Sequence, residues 1–100
     1  MDNGNRTALH WAADDGKAAV AAQLLQANAS VNAVSNNGWT PLHRAAYNDK
    51  AQVVDLLLQA KASPTAVDKA GLTPAQYAEQ YDHTDLAARL RQAEQAASSM

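Results

Sequence analysis

Apolar residues along the chain come in paired short blocks, each followed by a polar tract rich in turn formers. Residues 8–14 can make two turns of helix and stop before Asp15-Gly16, where Gly16 can take the left-handed conformation that reverses the chain. Residues 18–27 follow as a second helix with Val20, Leu24 and Leu25 on its buried side. Asn28 is suited to stop it, since Asn tolerates positive φ better than most residues. Residues 31–34 then read as an extended exit. The pattern repeats downstream. Thr40 caps a helix that begins at Pro41, where the missing N–H costs nothing and the pre-proline restriction keeps Thr40 extended. Val53-Val54-Asp55-Leu56-Leu57-Leu58 marks its partner helix. Thr73-Pro74 opens a third pair, in which Leu86 and Leu90 keep a buried stripe one turn apart.

The blocks obey a fixed period. Thr7-Ala8-Leu9-His10-Trp11-Ala12-Ala13, Thr40-Pro41-Leu42-His43-Arg44-Ala45-Ala46 and Thr73-Pro74-Ala75-Gln76-Tyr77-Ala78 each lie 33 residues apart. A constant period of this size marks a stacked array of supersecondary units. The central phrase Thr40-Pro41-Leu42-His43-Arg44-Ala45 resembles that of the ankyrin repeat, and the resemblance covers nearly the whole chain. It implies an all-α solenoid of stacked helix-turn-helix units joined by β-hairpin-like fingers. A single domain over 1–100 is expected, with repeats at about 2–34, 35–67 and 68–97. Two departures stand out: Asp49 where Gly16 stood, and Lys61 where the family usually has Gly. In the third unit Gln76 replaces the His, Glu79 replaces an Ala, and Arg89 and Arg91 enter the second helix. This polarity suits a C-terminal cap whose outer face meets water.

Composition narrows the reading. Apolar residues make up 47% of the chain, but alanine supplies about half of them and Phe and Cys are absent. So few large side chains suit short helices that approach closely through Ala. A net charge of −2 with no basic run argues against a nucleic-acid partner. The apolar runs are too short to span a bilayer. The polar opening Met1-Asp2-Asn3-Gly4 shows no secretory signal, and zero cysteines exclude disulfides and thiolate metal sites. A cytoplasmic or nuclear monomer is expected.

His10 and His43 recur one period apart, but units stacked about 10 Å apart cannot bring both rings to one ion at about 2 Å. The resemblance instead implies that each bonds its own Thr7 or Thr40 and bridges to the next unit. His83 reads as a solvated turn residue. Asp14-Asp15 lacks a nucleophile or base nearby in sequence, and no phosphate-binding loop, nucleophile elbow or zinc-protease motif occurs. No enzyme activity and no cofactor are expected.

Surface recognition remains. The resemblance implies that a protein partner docks on the concave side, made of finger tips and first helices. Mapped residue by residue, the finger tips are Asn3 and Arg6, Asn36 and Trp39, and Lys69 and Leu72. The first-helix ends are Asp14 and Asp15, Tyr47 and Asn48, and Gln80 and Tyr81, and Trp11, Arg44 and Tyr77 fill the variable slot between. Candidate partner-binding residues are therefore Arg6, Asp14, Asp15, Asn36, Trp39, Arg44, Tyr47, Asn48, Lys69, Leu72 and Tyr81. Trp39 and Tyr47 are expected to form an exposed contact surface, and Trp11 and Tyr77 to pack between first helices. The alternative is a structural fragment or spacer of a longer array.

Overall fold

Three threonines in extended conformation, Thr7, Thr40 and Thr73, start three helices: α1 (Ala8–Asp15), α3 (Pro41–Tyr47) and α5 (Pro74–Gln80). Each hydroxyl accepts the backbone N–H three residues on, from His10, His43 or Gln76, and that residue's side chain accepts the threonine N–H in return. The reciprocal pair satisfies two of the donors that a helix start leaves open. The helices α2 (Ala18–Gln26), α4 (Ala51–Gln59) and α6 (Thr84–Ser98) return antiparallel behind them.

The computed structural model describes residues 6–98. The Asn3-Gly4-Asn5 turn and the Asn3 finger tip lie outside them. Of the fraying expected at Ser98-Ser99-Met100, only Ser98 is described, and it ends α6. Among the described residues there are six helices and no strand. The fold is thus an all-helical solenoid of three helix pairs.

The first helices α1, α3 and α5 stack side by side, and α2 packs on α4 behind them. Ala12, Ala13, Ala45, Ala46, Ala75 and Ala78 line the seam and are at most 3% exposed. Leu9, Leu42, Val53, Val54, Leu57, Leu86 and Leu90 fill the space between the layers. In α2 only Ala21 is fully buried, and Val20, expected on the inner side, is 46% exposed. The reason is position: Val20 lies in the outermost unit, where no helix layer covers it.

The turns follow the residues. Gly16, Asn28, Asp49, Lys61 and Asp82 all have φ between 59° and 73°. A Cβ at Gly16 would sit 2.8 Å from Cδ of the flexible Lys50 side chain, which can move aside, so the positive φ rather than the contact is what calls for glycine here. Residues 31–34 depart from the extended reading, because a turn at Val31-Asn32 comes first, with the Ala33 N–H on the Ser30 carbonyl. The fingers carry no ladder. Each of the two fully described fingers closes on two bonds: Ser35 N–H to Trp39 O and Gly38 N–H to Ser35 O, both at 2.9 Å, and Asp68 N–H to Leu72 O at 3.0 Å with Gly71 N–H to Asp68 O at 2.9 Å. The Lys69 N–H donates to Asn37 O at 3.2 Å and joins the two tips.

The last helix differs in kind. α6 has 15 residues against nine in α2 and α4. Arg89 reaches back to Asp55 at 3.0 Å, and Arg91 bridges Glu79 and Glu94. Such half-exposed pairs contribute little stability each; they give the final unit a charged outer face.

Candidate functional site

His10 and His43 are fully buried and make the same set of bonds. Nδ1 of each accepts the N–H of Thr7 or Thr40 at 3.1 Å. An N–H can only donate, so Nδ1 is unprotonated and the ring proton sits on Nε2. From there it is donated across the seam to the next finger, to Trp39 O at 2.7 Å and to Leu72 O at 2.9 Å. Each imidazole therefore caps its own helix and fastens the following unit. Gln76 keeps the cap, accepting the Thr73 N–H at 2.8 Å. His83 corrects the solvated reading. Its Nδ1 lies 3.1 Å from the Ala46 carbonyl, so it ties the α5–α6 turn to α3.

Burial, which disfavours the imidazolium, holds the His43 pKa below its ordinary 6.5 despite the opposing pull of the Leu72 carbonyl and the Asp68 charge. Below pH 6.5 the unfolded chain thus takes up a proton that the folded chain resists. The contribution of His43 to stability is complete above the unfolded value and is lost as pH falls from there toward the folded one. Asp68 acts in a lower window. Burial pushes its carboxyl up, but hydrogen bonds from Tyr77, Leu72 and Ala70, with the charge of His43, bring it below 3.8. Its contribution is present above that value and lost in stronger acid. Urea midpoints at pH 7.5 and 5.5 isolate the histidine window. The midpoint is expected to be lower at pH 5.5, by a smaller margin in His43→Gln.

Asp68 and Ser35 occupy equivalent finger positions that the sequence reading passed over. Asp68 is buried and accepts the Ala70 N–H at 2.9 Å, the Leu72 N–H at 3.0 Å and the Tyr77 hydroxyl. Burial and then the bond to Asp68 push the Tyr77 hydroxyl up to about 12. A 33-residue comparison of polar finger residues, not only of the helix phrase, was the signal available.

Among the aromatic residues it is the two tryptophans whose surroundings differ from the expectation. Trp39 is 9% exposed, against an expectation that it stands out on a contact surface. Its ring centroid lies 5.9 Å from His43, 5.2 Å from Tyr47 and 4.8 Å from Tyr77, so it is a wedge between finger and first helices. Tyr77 packs there as expected. Trp11, expected to pack, is 44% exposed. The array continues outward through Tyr47 to Tyr81, 4.8 Å apart and edge to face, with 36% and 47% exposure. These two rings form the open part of the array.

A cation–aromatic pair recurs with its members exchanged. Arg6 lies over Trp11 at 4.6 Å in the first unit, and Arg44 over Trp39 at 5.1 Å in the second. Arg6 is equivalent to Trp39, and Trp11 to Arg44. The remaining candidates divide likewise. Asp14 is engaged by the second unit, accepting the Asn48 amide at 2.6 Å with Arg44 at 3.7 Å. Leu72 is half-buried and lends its carbonyl to His43. Asp15, Asn36 and Lys69 are exposed, at the end of α1 and on the finger tips. Among the described residues no group of three or more His, Asp or Glu could hold a metal ion, and no helix is long and apolar enough to cross a membrane.

A family model described as ankyrin repeats (three copies) matches residues 1–68 and, in a second overlapping alignment, residues 31–98. No curated protein matches the chain.

Proposed function

The chain belongs to the ankyrin-repeat family, whose members generally serve as protein–protein interaction modules, and from that premise we propose that it is a non-enzymatic, monomeric binding domain. In this reading one domain of three repeats, the last a cap, holds a protein partner on its concave face in the cytoplasm or nucleus. Nucleic acid and membrane play no part. The observation that carries the reading is the Tyr47–Tyr81 pair. Two large rings stand open at the ends of adjacent first helices, on a base that the histidine bridges and the Trp39 wedge make rigid. Tyrosines that offer wide apolar contact and a polar tip at little entropic cost are favoured at interface centres. Exposed Asp15, at the end of α1, and Asn36 and Lys69, on the finger tips, with Arg6, would extend the contact. Asp14, Trp39, Arg44, Asn48 and Leu72 serve mainly by holding the face in shape.

Affinity capture from cells of the source organism tests this, comparing the natural chain with Tyr47→Ala/Tyr81→Ala. A protein retained by the first and lost by the second, with the variant still folded by circular dichroism, is the expected result. Equal capture would move the site elsewhere. A second reading, a spacer within a longer array, is favoured by the exposed Trp11 and Val20 on the first unit. It predicts a clear gain in stability when an ankyrin unit is fused ahead of Arg6.

A further inference from the structure

Arginine already sits on an aromatic ring at two places along the first-helix face. Arg6 lies over Trp11 in the first unit, and Arg44 lies over Trp39 in the second. The equivalent positions of the third unit, Leu72 and Tyr77, hold no arginine. The open pair Tyr47 and Tyr81 spans the junction of the second and third units, and among the described residues no cation lies over either ring. The rings stand at 83° with centroids 4.8 Å apart, and Trp39 backs Tyr47 at 5.2 Å. Two perpendicular rings wall a corner in which a flat cation can lie on one face and turn its edge to the other. Charge at these helix ends favours such a cation. Tyr47 is the last residue of α3 and Tyr81 the C-cap of α5, so both stand where a helix carries partial negative charge. Asp49 and Asp82 follow them in left-handed turns, exposed and without an ion pair among the described residues. A carboxylate at this end opposes the helix dipole, and α5 has no basic residue in its last turn to offset it. The cations of the second unit lean the other way. Arg44 pairs with Asp14, and Lys50 lays its stem over Gly16, both in the first unit. His83 turns its Nδ1 to the Ala46 carbonyl.

We propose that the Tyr47–Tyr81 pair is a subsite for an arginine side chain of the protein partner, its guanidinium stacked in the corner of the rings with Asp49 and Asp82 as counter-charges. Arginine fits better than lysine, because a guanidinium is flat, weakly hydrated and stacks on aromatic faces. The partner as carrier rests on the concave-face reading, whereas the cation chemistry rests on the rings and carboxylates themselves.

The test is an NMR titration of isotope-labelled protein with blocked Gly-Arg-Gly, Gly-Lys-Gly and Gly-citrulline-Gly peptides at matched ionic strength. The ring signals of Tyr47 and Tyr81 are followed. Citrulline keeps the shape of arginine and lacks its charge. Saturable shifts with the arginine peptide, weaker ones with lysine and none with citrulline are expected. Tyr81→Leu, which keeps an apolar side chain and removes the ring, should weaken arginine binding by about tenfold. Asp82→Asn should weaken it by about threefold. Asn tolerates the left-handed turn, so this variant keeps the proposal testable if Tyr81→Leu disturbs the fold. Linear shifts with all three peptides, citrulline or lysine binding as tight as arginine, or arginine binding that survives both substitutions would overturn the proposal. Saturable arginine binding that is lost in the variants, together with partner capture that ignores Tyr47 and Tyr81, would uphold the subsite and reject the concave-face reading. Capture that depends on the tyrosines without any arginine binding would do the reverse.

Discussion

Replacing His43 by Ala is expected to lower stability by about 3 kcal/mol, and replacing it by Gln by only about 1 kcal/mol. The loss in the Gln variant isolates the bridge, and the further loss in the Ala variant reports the cap and the filled volume. In His43→Ala the ring leaves a fully buried site, the Thr40 N–H loses its acceptor and the Leu72 carbonyl loses its donor. Gln at the same place has a precedent within the chain, since Gln76 already accepts the Thr73 N–H. Gln therefore retains the cap and gives up mainly the bond across the seam. Urea unfolding of both variants decides it. Equal losses would mean that the link between units, not capping, is what the imidazole contributes.

Trp39→Ala is expected to cost about 3–5 kcal/mol, the range for removing a buried aromatic side chain. A three-unit array is near the minimum for a stable stack, so this variant should be largely unfolded at ordinary temperature. Trp11→Ala should change stability little, because that ring is 44% exposed. Circular dichroism melts of the two variants give the contrast. The consequence for function is direct: loss of partner binding in Trp39→Ala would report unfolding. Under the proposed reading, Tyr47 and Tyr81 are the positions at which binding is expected to fall while the chain stays folded.

The helices, their caps and the left-handed turns were legible because each rests on local chemistry. Thr-Pro specifies a helix start by itself, and Asn28 and Asp49 tolerate positive φ wherever they stand. The bridging role of His10 and His43 followed from the family phrase. The roles of the two tryptophans were not legible. Burial of Trp39 depends on Tyr77, 38 residues further on, closing over it from the next unit. Trp11 sits in the variable slot that Tyr77 fills two periods later, but it meets Arg6 of its own unit, whereas Tyr77 meets Trp39 of the unit before. Periodicity assigns positions to faces, but the size of the neighbour one unit away decides what each face covers. The same holds for His83, whose bond to Ala46 crosses from the third unit to the second and has no counterpart in the repeated phrase. Asp14 gave a different difficulty. A carboxylate at a helix end reads as surface charge until Asn48 and Arg44 of the next unit are seen against it.

The central claim is that the partner lies across the first-helix ends and finger tips, over Tyr47 and Tyr81. Amide hydrogen exchange of the captured complex, compared with the chain alone, addresses it most directly. The account predicts added protection in the finger at 35–39 and at the C-terminal ends of α3 and α5, with α2, α4 and α6 unchanged. Protection confined to α2, α4 or α6 would contradict it and place the partner on the opposite side of the stack.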